Sequence, residues 1–528
     1  MDQVRMDGPM NGRDGTACQD AVLAFLGDPR TFGEPVERID THAASVFLTR
    51  EKAYKLKRAV HFPYLDFSTL EKRRIMCARE VELNKRTAPD IYLATRPIVA
   101  DGKGGLAFGT ENEDAARALD WVVEMRRFAS DDLFAVMARE GRLTAAHLRD
   151  LADAIVHFHQ QQAMPVSDDG VTRPLHVLEG NFASMVAVTD AILPASTCEA
   201  LFDRSRASLE RLAPILQTRA AAGCVRLCHG DLHLGNICLW QGRATPFDCL
   251  EFDDELATSD VLYDLAFAVM DLWHRDYRQG AALLFNRYCD MADLDGAAMA
   301  VMPLFLSMRA AVRAHVNAAL ALRLHDAGKR EASLQEARGY LDAAGAFLEP
   351  RAPCLVAVGG FSGTGKSTLA SALAPHLGAA PGARWLRTDV LRKRLAGVTP
   401  ETRLPAASYT PENARTVYSH LERLASETLV HGSAVIVDGV FSRPGERRAI
   451  EALARDAGAT FHGLWLEAPS AVLLERVAQR TGDASDATVE VVTRQSTVSP
   501  GNLDGWTRID AQGTPDTVYN DAMRALGF

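Results

Sequence analysis

Cys354-Leu-Val-Ala-Val-Gly-Gly-Phe-Ser-Gly-Thr-Gly-Lys-Ser-Thr-Leu-Ala-Ser-Ala-Leu-Ala374 is the stretch on which the reading of this chain turns. Leu355 to Val358 is a short continuous apolar run, as expected of a strand buried on both faces. Gly360 to Ser367 then matches G-x-x-x-x-G-K-[ST] without a mismatch, and Leu369 and Leu373 continue at helical spacing until Pro375 ends the helix. Strand, glycine loop and helix start make a phosphate-binding loop. Its glycines let backbone N–H groups approach phosphate oxygens, and the helix N-terminus adds positive potential. Lys366 reaches the outer phosphates and the Ser367 hydroxyl can ligate magnesium. Gly360, Ser362, Gly363, Thr364, Gly365, Lys366, Ser367 and Thr368 are therefore the expected phosphate-holding residues. A plain glycine-rich turn would arise in this form by chance in roughly a few per cent of chains of this length, so the loop is read as functional.

With 528 residues and 47% hydrophobic composition the chain can bury several cores, and its length suggests about three folding units. Its N-terminus lacks a charged-then-apolar signal pattern, and the least polar long run, Ala297 to Met308, contains Pro303 and stops at Arg309. Neither a membrane span nor a membrane partner is expected. Nine cysteines without a secretory segment favour reduced thiols in a cytoplasm, and Cys224 and Cys228 lack a second pair at zinc spacing. The net charge of -10 argues against a general polyanion binder, although from Arg351 onward 19 basic residues face 18 acidic ones.

Upstream, Met1 to about Gly15 is polar and glycine-rich, and residues 1–30 are expected to be loose. Ser45–Leu48 and Lys52–Lys57 read as a hairpin in which Ala53, Lys55 and Lys57 share a face. Ser68 with Glu71 reads as a capping box opening a helix to about Arg86 that carries Glu80. Leu119–Met125 is strand-like, and Leu148, Leu151, Ile155 and Phe158 follow helical spacing. His157 and His159, two apart on that helix, point away from each other and are not expected to share an ion. The second informative stretch is His229-Gly-Asp231-Leu-His-Leu-Gly-Asn236, followed by Phe247-Asp248 and later by Asp260 and Asp264. H-x-D-x-x-x-x-N puts a carboxylate where it can take a hydroxyl proton and an amide where it can hold magnesium. Asp248 follows at a spacing that suits a hairpin between two metal ligands. Farther on, apolar residues at helical spacing from Leu304 to Leu348 predict a mostly helical lobe, with Arg309 and Arg313 on a solvated face.

On the motif His229–Asn236, on Asp248 and on Asp260-Val-Leu-Tyr-Asp264-Leu-Ala, the first 345 residues or so resemble the aminoglycoside phosphotransferase and choline kinase-like family. The resemblance implies a two-lobed kinase-like fold with ATP and Mg2+. It implies Asp231 as catalytic base, Asn236 and Asp248 as magnesium ligands, Lys55 paired with Glu80 on the phosphates, and the Met125 region as adenine hinge. Lys57 could replace Lys55, and Glu251 could share the metal role. The chain lacks a G-x-G-x-x-G before the lysine strand and an A-P-E after Asp248, which disfavours a protein kinase.

Beyond the phosphate loop, Thr388-Asp389 with Arg392 resembles the Asp-x-x-Arg element of polynucleotide and gluconate kinases, which implies that Asp389 and Arg392 address the acceptor hydroxyl. Val435–Val437 reads as a buried strand ending at Asp438, the expected carboxylate for magnesium. Arg476 and Arg480, one turn apart before Ser485-Asp486-Ala487, resemble a lid whose arginines stabilise the transferred phosphoryl group.

The expected fold class is thus α/β and α+β, multi-domain: a bilobal protein-kinase-like fold over 31–348, a linker at 349–353, and a P-loop parallel sheet flanked by helices over 354–528. The expected function is bifunctional transfer of the γ-phosphoryl group of ATP to hydroxyls of small molecules. The alternatives are an ATP-binding regulatory protein with one inactive module, or a nucleic-acid end kinase using Arg384, Arg387, Arg392, Lys393 and Arg394. Net charge speaks against nucleic acid as a partner, and nothing in the sequence selects an acceptor or an oligomeric state.

Overall fold

The computed structural model describes residues 12–62, 65–110, 114–161, 169–188, 192–479 and 484–528, with side chains from Gln19 onward. They divide into two compact units, Met1–Arg142 with Leu227–Thr258, and Leu143–Arg226 with Ser259–Phe528.

The first unit is built on a six-stranded sheet of β1 (Glu37–Asp40), β2 (Ala44–Leu48), β3 (Lys52–Lys57), β4 (Tyr92–Ala100), β5 (Leu106–Phe108) and β6 (Asp120–Arg126), in the order β1-β2-β3-β6-β4-β5. β2 and β3 form the expected antiparallel hairpin, Val46 opposite Lys55. Residues 1–30 are not loose throughout: α1 (Gly12–Gly27) is a helix, and its Val22 and Leu26 are fully buried with Phe47, Leu56 and Val122. The polar start of the segment hides a short apolar stripe that gains more from packing than the chain loses in entropy. α2 (Leu70–Asn84) is capped by Thr69, whose side chain accepts from Lys72 N–H, while Ser68 donates to Asp66. The cap is therefore one residue later than the Ser68–Glu71 spacing indicates, because Ser68 is engaged with Asp66. Its inner side joins Cys77 and Val81 to Ile91, Tyr92, Trp121 and Val123. A separate hairpin, β7 (Ile237–Trp240) with β8 (Arg243–Pro246), pairs Ile237 with Pro246 and so places Asn236 and Phe247 side by side.

The second unit contains α3 (Ala145–Gln161), α4 (Thr172–Val186), α5 (Ala195–Ala221), α6 (Val261–His274), α7 (Arg278–Met291), α8 (Ala298–Arg323) and α9 (Ala327–Phe347). In the same unit lies a parallel sheet of β9 (Cys354–Gly360), β10 (Arg384–Arg387), β11 (Val435–Asp438), β12 (Thr460–Glu467) and β13 (Trp506–Asp510), in the order β10-β11-β9-β12-β13. Flanking it are α10 (Lys366–Leu373), α11 (Thr388–Leu395), α12 (Pro411–Val430), α13 (Pro444–Asp456), α14 (Ser470–Ala478), α15 (Val489–Gln495) and α16 (Pro515–Leu526). Alternation along β9 explains the layers. Leu355 and Ala357 pack with Leu421 of α12 and Ile450 of α13, whereas Val356 and Val358 pack with Leu369 of α10 and Val518 of α16. A strand buried on both faces has no polar side to show, which is why it reads as a continuous apolar run. The chain also reverses direction across the sheet at β9, so the loop after it opens where ligands bind in such folds.

In this unit one expectation about charge is corrected and one alternative loses its support. Arg309 is buried rather than solvated: it donates to Tyr263 O at 3.0 Å, and its guanidinium lies 3.8 Å from the Tyr263 ring centroid. The basic run from Arg384 to Arg394 is not an exposed patch. Arg384 is buried on Asn286 and Asp290 of α7, Lys393 is buried on Asp486, and Arg394 pairs with Asp293. A polyanion needs solvent-facing cations, and these are already neutralised inside.

Candidate active site

In the first unit, β3 and α2 bring Lys55 to Glu80. Lys55 Nζ lies 2.9 Å from Glu80 Oε1 and 2.6 Å from Asp248 Oδ1. Lys57, two residues on and so on the same face of the strand, lies 2.6 Å from Glu80 Oε2 and 2.5 Å from Glu251 Oε1. Both lysines are thus used, on different oxygens of one carboxylate. Burial would raise the Glu80 carboxyl, but Lys55 and Lys57 outweigh it and hold its pKa below the usual carboxylate range. Burial also dominates at Glu251, where it pushes the carboxyl up in spite of Lys57.

The segment around Asp231 is held by its own histidines. His229 Nε2–H donates to Phe247 O at 2.9 Å, leaving Nδ1 to accept from Asp231 N–H at 3.3 Å. Gly230 has φ +83°, and a Cβ there would stand 2.8 Å from Leu250 Cβ, so the turn admits only glycine without a shift. His233 Nδ1 accepts from Gly235 N–H, which places its proton on Nε2, 3.5 Å from Asp231 Oδ2. Asn236 Nδ2 donates to Asp231 Oδ2 at 2.9 Å and to Asp231 O at 3.0 Å, leaving its Oδ1 as an available acceptor. The Asp231 side chain is 40% exposed, open to a substrate. Asp248 takes φ +63°, and its N–H donates to the Tyr92 hydroxyl at 3.2 Å. Met125 is buried near the end of β6, opposite Ala53 and Tyr92.

In the second unit, Gly365 (φ +89°) is the N-cap of α10, and Gly363 (φ +88°) packs so closely on α14 that a Cβ would stand 2.8 Å from Leu473 O. Lys366 Nζ donates to Phe361 O at 3.0 Å. The Ser367 hydroxyl donates to Asp438 Oδ2, and Arg387 Nη2 donates to Ser367 Oγ at 3.2 Å. Burial pushes the Asp438 carboxyl up, against the pull of Lys366 and Arg387. Asp389 is half-buried in the first turn of α11, where Arg387 occupies the cap position, so Asp389 is not the N-cap. Arg392 has its guanidinium 4.9 Å from the Tyr409 ring centroid, and its Nε and Nη1 are buried without a hydrogen-bond partner. Asp486 accepts from Tyr409 Oη, Leu404 N–H and Lys393 Nζ. Arg476 is apart from these residues, on Gly513 O at 3.4 Å, and Arg480 lies outside the described residues.

Both sites offer hard oxygen donors of the kind magnesium requires: Asn236 Oδ1 with the Asp248 carboxylate, and Ser367 Oγ with the Asp438 carboxylate. The donor sets fit the metal. Bound there, magnesium would neutralise phosphate charge.

Several neighbours of these residues escape a motif search. Tyr92 holds the Asp248 backbone, Arg387 spans Ser367 and Asp438, and Gln495 Oε1 accepts Ser362 N–H at 2.8 Å. Gln495 is 133 residues from Ser362, and no local pattern marks such a partner. His159 and His157 have separate partners: the His159 ring bonds Tyr288 Oη and Asp264 Oδ2, while His157 meets Gln161. Among the described residues all cysteines are free thiols, and no helix is long and apolar enough to cross a membrane.

A family model for the Phosphotransferase enzyme family matches residues 117–302, and one for the AAA domain matches residues 355–499. An uncharacterized protein of Mycobacterium tuberculosis is 30% identical over 528 residues, covering 98% of each chain. An adenylyl-sulfate kinase of Myxococcus xanthus is 34% identical over 120 residues, 22% of this chain and 59% of that one. Among solved structures, a choline/ethanolamine kinase family protein from Mesorhizobium loti is 14% identical with a TM-score of 0.37, covering 62% of this chain and 99% of that one. A gluconokinase from Sinorhizobium meliloti is 22% identical with a TM-score of 0.25, covering 34% and 93%. The chain belongs to the family of its full-length mycobacterial relative, and it is an ATP-dependent kinase in which an aminoglycoside phosphotransferase-like part is followed by a P-loop kinase part.

Proposed function

We propose that the chain is bifunctional, with two sites that each transfer the γ-phosphoryl group of ATP to a hydroxyl of a small molecule. The observation that supports this reading is that cations and oxygen donors gather in two separate clusters, Lys55–Glu80 with Asn236 and Asp248, and the Gly360–Thr368 loop with Ser367 and Asp438. In the first, Asp231 is the general base: its exposed carboxylate takes the acceptor proton while Asn236 and His233 hold its orientation. Lys55 stays ionised between Glu80 and Asp248 and orients the phosphates. In the second, Asp389 takes the proton and Arg392 binds the acceptor. The two buried, unpartnered nitrogens of Arg392 favour an acceptor that carries an anionic group, since such a group would satisfy them. Asp438 and Ser367 hold the metal, and Arg476 is assigned to the nucleotide end of the site. The 31–348, 349–353 and 354–528 division remains the proposed domain plan.

The test is a metabolite screen with γ-labelled ATP on the full chain and on Asp231→Asn and Lys366→Ala. Two product sets, one lost in each variant, are expected. ATP binding without label transfer to any acceptor would instead support a regulatory protein.

A further inference from the structure

The second unit holds a cavity of about 660 Å3, a size typical of small-molecule sites, beside the phosphate loop. Thr364, Gly365 and Thr368 line it, whereas Asp389 and Arg392 do not. A nucleotide with its outer phosphates on the loop N–H groups must carry its nucleoside past these three residues, away from the acceptor. The remaining walls suit a purine nucleoside. His376 and Tyr519, with ring centroids 5.9 Å apart, supply aromatic surface, and Arg476, fixed on Gly513 O, supplies a cation. One wall comes from far upstream in sequence: Asp276 of the α6–α7 turn with Arg278 and Gln279 at the start of α7. Asp276 has φ +60° and pairs with Arg278 at 3.1 Å, and the Arg278 guanidinium lies 5.4 Å from the Trp273 ring centroid. The turn is thus held in shape while the Arg278 side chain stays 52% exposed.

We propose that this turn is a nucleoside-recognition element of the P-loop site, with Arg278 and Gln279 contacting the base or ribose of ATP. The P-loop site is then completed by the phosphotransferase-like part of the chain, and α6, which begins beside Asp260 and bears Asp264, ends at the second nucleotide. The inference rests on the reading of Gly360–Thr368 as an ATP site. Photolabelling of the full chain with 8-azido-ATP and magnesium tests it directly. Label is expected in peptides spanning 276–279, 372–376 or 513–519, and Lys366→Ala should remove it. The paired change Arg278→Ala with Gln279→Ala should raise the ATP concentration that protects this label about tenfold, as for the loss of charge-assisted hydrogen bonds, with the melting temperature unchanged. Label that depends on Lys366 but falls on other peptides, or protection unchanged by the paired substitution, overturns the inference and leaves the ATP site standing. Label in these three peptides that is insensitive to Lys366→Ala overturns both.

Discussion

Lys57 shows how one residue can bind two distant carboxylates into a structural unit. Its side chain is 1% exposed, and Glu80 and Glu251 are its partners. Replacing it with methionine leaves both carboxylates buried with too little positive charge, and Lys57→Met is expected to cost about 3 kcal/mol. Adding Glu251→Gln should recover part of that loss, since it removes one of the stranded charges; denaturant unfolding of the two variants checks the order. Lys55→Met is expected instead to act on ATP affinity, because Lys55 also faces Asp248 and is less buried. At the other site, Asp389→Asn separates a base from a helix-forming residue. With the cap position at Arg387, asparagine at 389 should leave the melting temperature and ATP affinity nearly unchanged while turnover falls by roughly a hundredfold or more. Near-normal turnover would return Asp389 to a structural role. The residues proposed for both sites stand out by type and spacing, but that Lys55 and Lys57 divide the two oxygens of Glu80 does not, because it depends on how α2 lies against β3.

At the scale of elements, α8 was legible as a helix, but the setting of its polar residues was not. His315, on α8, lies with its Nε2 3.3 Å from Asn181 Oδ1 on α4, and burial pushes its pKa down to about 4. Below pH 6.5 the unfolded chain protonates this imidazole while the folded chain does not, so stability must fall as the pH drops toward 4. The contribution is on the order of 3 kcal/mol at the acid end. His315→Gln keeps a hydrogen-bonding side chain without the titration, and its melting temperature should vary less between pH 4 and 6.5 than that of the parent. An identical slope would assign the acid sensitivity elsewhere. The same limit explains Arg309: one turn from Arg313 it reads as a charged face, yet the rings of Tyr263 and Phe267 on α6 cover it. A period of 3.6 tells which residues share a helix face, and only the neighbouring helix tells whether that face is wet.

For the whole molecule, the proposal of two separate sites leads to a double dissociation. Asp231→Asn should abolish transfer at one site and leave ATP turnover at the other, and Lys366→Ala should do the reverse; each is read by product formation with the full chain. Loss of both activities in a folded single variant would mean one composite chemistry. The proposed role of the α6–α7 turn does not conflict with this, since a wall of the P-loop site affects nucleotide affinity there without supplying either base.

By itself the sequence determined the strand-loop-helix of the P-loop, the parallel sheet around it, the β2–β3 and β7–β8 hairpins, and the resemblance of both parts to kinases. Those features are local: a glycine that must take positive φ, an apolar run buried on both faces, or a catalytic-loop spacing is written within a few residues. Tertiary structure alone decided that α1 packs instead of trailing, that Arg384 and Lys393 are neutralised inside, that Gln495 holds the loop N–H of Ser362, and that residues 276–279 wall the cavity beside Thr364 and Thr368. Each of these joins residues far apart in sequence through a hydrogen bond, a charge pair or a shared surface. Such contacts follow from how whole elements pack, and packing free energy depends on shape and burial that no short stretch of sequence records.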